Sequence, residues 1–140
     1  MAAEDPTDAL QAGIYAILSG DATLTALANV YDGVPEGDDP AWVIIGETLS
    51  APDGVHGLEG RQTSFTIHTW ARAHGFAPVN TIGARVVALL WHRHTELSAE
   101  VAGHRVWRVD HEYSQTLRDP EPDLRHRVDR FRIWSHQEAP

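Results

Sequence analysis

Apolar residues recur along the chain with two different periods, and the changes of period mark its elements. After Pro6 and Thr7, the residues Leu10, Ile14, Ile17 and Leu18 fall at helical spacing. Asp8 sits at the positive end of that helix dipole, and Gly20 can stop it. Asp21 can cap a second, short turn carrying Leu24 and Leu27. A small strand fits near Val30, before Asp32, Gly33, Pro35, Gly37, Asp38, Asp39 and Pro40, which are too dense in turn residues for regular structure. Residues 41–47 then hold Trp42, Val43, Ile44 and Ile45, apolar on both alternating sides, which predicts a strand covered on both faces.

Residues 48–60 read as a long loop around Pro52, Gly54, Gly57 and Gly60. Alternation resumes over 61–72, with Phe65, Ile67 and Ala71 opposed to Gln62, Ser64, Thr66 and His68. Pro78 suits the first turn of the main helix, whose stripe of Val79, Ile82, Val86, Leu89 and Leu90 fades near His94. Another small strand fits near Leu97. Further on, Trp107, Val109 and Tyr113 alternate with Arg108, Asp110 and Glu112. After a break at 119–123, the last strand, 125–134, carries Val128, Phe131, Ile133 and Trp134, and about 135–140 reads as a frayed tail. This order predicts the α+β class: an antiparallel β-sheet with an N-terminal helix and one long helix packed on one face, in a single domain spanning 1–140.

Composition agrees with a single core, since 42% of the 140 residues are apolar. The absence of cysteine removes thiol nucleophiles, thiolate metal sites and disulfides from consideration. Charge is more informative. The net charge of −9 argues against a broad phosphate-binding face, and it is unevenly spread. Residues 1–60 carry eleven acids and no base, whereas 61–140 carry nine acids and all eleven arginines, so the two parts hold −11 and +2. The basic residues are all Arg, the side chain suited to bidentate contacts at interfaces. No apolar run reaches the ~18 residues of a membrane span, and the N-terminus lacks a basic secretory start, so the expectation is a soluble protein made in the cytoplasm with no membrane partner.

Signatures of catalysis fail one by one. His92 and His94 lie two apart on a helix and point away from each other, and His111 with Glu112 begins a zinc-protease pattern that breaks at Gln115. No G-x-S-x-G surrounds a serine, and Gly54, Gly57 and Gly60 lack the Lys and Ser/Thr of a phosphate loop. Hence no catalytic, cofactor-binding or metal-ligating residue is assigned, no cofactor is expected, and the chain reads as no enzyme. The positions that do suggest contact are Trp70, on the polar side of its strand, and Trp91, beside the helix stripe. The run Arg125, Arg127, Arg130 and Arg132 is the other interface candidate, the first pair on one side of the strand and the second on the other. A charge-guarded edge strand is its competing explanation.

Several segments, taken in order, resemble one family. They are "LSGDATLTALANVYDGVPEG", "PAWVIIGE", "FTIHTWARAHG", "LSAEVAGHRVWRV" and "LRDPEPDLRHRVDRFRIW". The chain is similar in these to the tail-completion, or tail-terminator, proteins of long-tailed bacteriophages and gene transfer agents. The region 53–60 and the last six residues look individual. The resemblance implies a structural virion protein at the head–tail junction. It would complete the tail tube and join it to the neck as a hexameric ring of itself, contacting the major tail tube protein and a head-closure protein. DNA would pass through without specific binding. Glu36, Asp38, Asp39, Asp53 and Glu59 are then candidates for an acidic lumen that repels the duplex. Another neck component, such as a head-closure or adaptor protein, a histidine-based metal enzyme, and a host-encoded binding module are the rival readings.

Overall fold

The computed structural model describes residues 5–33, 39–54 and 60–138. In chain order it contains α1 (Thr7–Ser19), α2 (Ala22–Leu27), β1 (Asn29–Tyr31), β2 (Ala41–Pro52), β3 (Gly60–Arg72), α3 (Ala77–Leu90), α4 (His94–Ala99), β4 (His104–Arg118) and β5 (Leu124–Gln137). The five strands form one sheet in the order β1-β2-β3-β5-β4. The class is α+β, but the sheet is mixed, because β1 runs parallel to β2 while every other pair is antiparallel. Asp39, just before β2, is tied to β1 by accepting from Asn29 Nδ2 at 2.8 Å and from the Tyr31 hydroxyl.

Strand parity decides which side of the sheet is dry. Phe65 of β3 faces Phe131 of β5, and both are fully buried beside Val43, Ile45, Ile67 and Ile133. The helices bring Leu10, Ile14 and Leu18 from α1 and Val79, Ile82, Val86 and Leu90 from α3 into the same core. Burying each of the larger side chains stabilises the fold by roughly 1.5–3 kcal/mol. We call this side of the sheet the core face and the other the outer face.

The structure departs from the sequence expectations at identifiable places. β2 does not end at Glu47: residues 48–52 pair with 61–65 beyond a bulge between Ile45 and Thr48. Gly46 permits the bulge, since a Cβ there would lie 2.6 Å from the His68 ring. β2 is also covered on one face only; Val43 and Ile45 are buried, while Trp42 and Ile44 are half-buried on the outer side. α3 stops at Leu90, and His92 takes a left-handed φ of 62°, turning the chain into α4 where a strand near Leu97 was expected. In β4, bulges near Trp107 and Glu112 change the parity, so Val106 and Val109 go inside while Trp107 and Tyr113 stand 43% and 45% exposed. Residues 135–137 belong to β5, and Glu138 N donates to Gly103 O.

Candidate subunit interface

The outer face is built from alternate positions of β2, β3, β5 and β4. Register places Trp42 beside Trp70 and Trp70 beside His126. Their rings stack across three strands, Trp42 on Trp70 at 5.8 Å and Trp70 on His126 at 4.3 Å with 8° between planes. The row continues through polar contacts: His126 Nε2 lies 2.8 Å from His68 Nδ1, and His68 Nε2 lies 2.8 Å from Glu47 Oε1. A carboxylate only accepts, so the Nε2 hydrogen of His68 points at Glu47. With His68 neutral, its Nδ1 then accepts the hydrogen carried by His126 Nε2. The His68 hydrogen bond, helped by Glu47's own backbone N–H, holds the Glu47 carboxyl below its usual range. Burial, and then the nearby His68, push the His126 pKa down.

Farther along this face, Glu112 lies between two arginines, 3.4 Å from Arg130 Nε and 3.2 Å from Arg132. Arg132 also donates to Gln62 Oε1 at 3.2 Å. Arg108 lies over the Trp134 ring at 4.7 Å, with Trp107 tilted against that ring at 6.1 Å. Trp70 thus occupies the outer face that its strand parity implied. Trp91 does not join this row; it caps the end of α3, 42% exposed, stacked on His92.

Arg125 and Arg127 belong to the core side, where their guanidinium groups serve the fold. Arg125 is 6% exposed; it donates to Pro122 O at 2.8 Å and His74 O at 2.5 Å, pinning the β4–β5 turn to the segment after β3. Arg127 grips the fully buried Asp129 through Nε at 2.9 Å and a terminal nitrogen at 3.1 Å, and reaches Asn80 O on α3. Gly83 leaves the room, because a Cβ there would sit 2.3 Å from Arg127 Nε. Of the acids assigned to a lumen, Asp39 is bound across β1 as described, and Asp53 closes the β2–β3 connection through its backbone N–H to Gly60 O at 2.8 Å. Glu36, Asp38 and Glu59 lie outside the described residues.

Asp129, His111 and Ser114 bring together the residue types of a nucleophilic relay, but not its geometry. A relay needs the carboxylate on one imidazole nitrogen and the hydroxyl on the other. Here Asp129 Oδ1 and Ser114 Oγ both lie 3.1 Å from Nε2, and Ser114 donates to Asp129 at 2.6 Å. The arrangement satisfies a buried carboxylate with donors. Among the described residues no group of three or more His, Asp or Glu is arranged to hold a metal ion.

Sequence reasoning missed Trp107, Trp134, His68 and His126 on the outer face. The even parity of His68 and His126 was visible, but their adjacency depends on strand register between positions far apart in the chain.

Comparison with known proteins narrows what such a face serves. A family model described as "Tail completion protein gp17" matches residues 12–136. No curated protein matches this chain. A solved chain from "Virion of native gene transfer agent (GTA) particle" superposes with a TM-score of 0.80 at 27% identity, over 94% of this chain and 97% of that one. With that model spanning nearly its whole length, the chain belongs to the tail-completion protein family and is a structural protein of phage or gene-transfer-agent tails.

Proposed function

We propose that this protein completes the head-proximal end of a tail tube as a hexameric ring and joins the tube to the neck of the capsid. The match of residues 12–136 to the tail-completion family carries the reading. In this role α1 and α3 lie together on the core side of the sheet, and the outer face and sheet edges are left for neighbours. The work of the chain is positional, not catalytic.

A ring of identical copies needs two unlike patches that meet head to tail. The uneven charge supports such patches. Among the described residues, Asp21 with Arg85 is the one ion pair that joins an acid of the first sixty residues to an arginine, at 2.7 Å. The remaining excess of each sign is available to attract a neighbour in one orientation and repel like patches. Acids facing the channel would let DNA pass without adhering. Arg130 and Arg132, sharing the single Glu112, are the arginines offered to a neighbour.

Mass measurement of the protein alone and after mixing with tail tubes tests the proposal. Six copies bound at a tube end is the expected result. A solitary copy per tube, or imaging that finds the polypeptide elsewhere than the head–tail junction, overturns it.

A further inference from the structure

Each edge of the sheet is covered over only half its length. On one side β1 pairs with residues 42–44 of β2, and residues 48–52 have no strand beyond them among the described residues. On the other side β4 is outermost, and its first half is capped: Val106 N donates to Ser98 Oγ at 3.0 Å and His92 N donates to Val109 O at 3.3 Å. Residues 113–118 are exposed and carry no comparable backbone cap among the described residues. Proteins usually blunt an open edge with charge or proline. Pro52 and Arg118 mark only the far ends of the two open stretches; between them and the capped halves, 48–51 read Thr-Leu-Ser-Ala and 113–117 read Tyr-Ser-Gln-Thr-Leu, without charge or proline.

We infer that neighbouring copies of this chain join by pairing the 113–117 edge of β4 with the 48–51 edge of β2, head to tail, so that one sheet runs around the ring. This rests on the ring proposed above and adds which surfaces meet. The two open half-edges lie at diagonally opposite corners. Through Ser64 and Arg132, Leu49 is level with Asp110 in the capped half of β4. Gln115, the centre of the open half and on the same outer face as Leu49, pairs with Val128, four residues along β5 from Arg132. That offset is about 13 Å at about 3.3 Å per residue. Placing β4 of one copy beside β2 of the next repeats the sheet every four strands, roughly 19 Å at ~4.8 Å per spacing.

Together the two lengths incline the strands about 35° to the ring axis, at the lower end of the roughly 35–45° at which sheets close on themselves. Direction agrees as well. β2 runs parallel to β5 and opposite to β4, so rotation about the ring axis sets β4 antiparallel to the next β2. β1 and the α3–α4 corner stand as stops on either side of the joint and fix its register.

The chain lacks cysteine, so introduced thiols report contacts cleanly. Leu49, Tyr113, Gln115 and Leu117 share the outer face by register, which brings their side chains together across the joint. Leu49→Cys is combined in turn with Tyr113→Cys, Gln115→Cys and Leu117→Cys, and rings formed on tail tubes are treated with a short thiol cross-linker. The expected result is a ladder of covalent multimers from at least one double variant and none from the single variants. Rings of the right mass without that ladder overturn the edge pairing and leave the ring standing, and self-cross-linking of a single variant overturns it in favour of like-to-like contact. Failure to find any ring by mass overturns the functional reading together with the joint. Hydrogen exchange on the unmodified protein reads the same contact without substitution: amides in 48–51 and 113–117 slow by about tenfold or more on ring formation, and unchanged exchange there overturns the inference.

Discussion

Two pairs of arginines on β5, separated by three residues, meet opposite fates. Arg125 and Arg127 point to the core side and are held by carbonyls and a buried carboxylate, whereas Arg130 and Arg132 stand on the outer face around one glutamate. Residue type is identical, and parity alone separates them. The inner pair converts charge into fixed connections between distant segments. The outer pair keeps its charge at the surface, where a neighbour can use it.

The contrast is sharpest at Asp129. Asp129→Ala strands the Arg127 guanidinium beside α3 and is expected to cost about 3–5 kcal/mol, read by chemical denaturation. A loss under about 1 kcal/mol would show that Arg127 escapes to water and that the two pairs differ less than drawn. Arg125→Met leaves the His74 and Pro122 carbonyls without their donor, an expected loss of about 2–3 kcal/mol by the same measurement. Gly83→Ala drives a methyl group into Arg127 and should destabilise by about 1–3 kcal/mol, with much of that penalty absent when Arg127 is already Ala.

Substitution of both outer arginines should reverse this ordering of effects. Arg130→Ser with Arg132→Ser is expected to change the stability of the isolated chain by less than about 1 kcal/mol, while binding to tail tubes falls in a salt-dependent manner. Full binding with normal salt dependence would return these two residues to an ordinary solvated face.

The smallest effect is a pH slope belonging to the outer face. His126 has its pKa depressed below the ordinary 6.5, so the unfolded chain takes up the proton first. Its stabilising contribution is complete above that ordinary value and declines as pH falls through the lower, folded-state value. Denaturation curves collected across this window should show the decline, and His126→Phe should flatten it.

Much of this architecture was legible in the sequence. The stripe Leu10, Ile14 and Leu18 and the stripe Val79, Ile82, Val86 and Leu90 identified the two principal helices, because burial of one helical face imposes their spacing. The sidedness of Arg125 and Arg127 against Arg130 and Arg132 followed from a strand of unbroken register. Irregular backbone was not legible. Trp107 and Tyr113 were expected beside Val109, and two bulges with no compositional mark moved them to the other side. Residues 48–52 looked like loop because their pairing with 61–65 is decided across the sheet. Similarly, the His74 carbonyl that holds Arg125 and the His126 ring that meets His68 come from positions 51 and 58 residues away. Local pattern carries no record of such distances.

The flat contact between Trp70 and His126, 4.3 Å between ring centres, has an optical consequence. An imidazolium laid against an indole quenches its emission, so the part of the five-tryptophan brightness that Trp70→Phe removes reports whether its neighbour has taken a proton. The row of rings supplies an intrinsic gauge of protonation on the outer face, readable in solution without any attached dye.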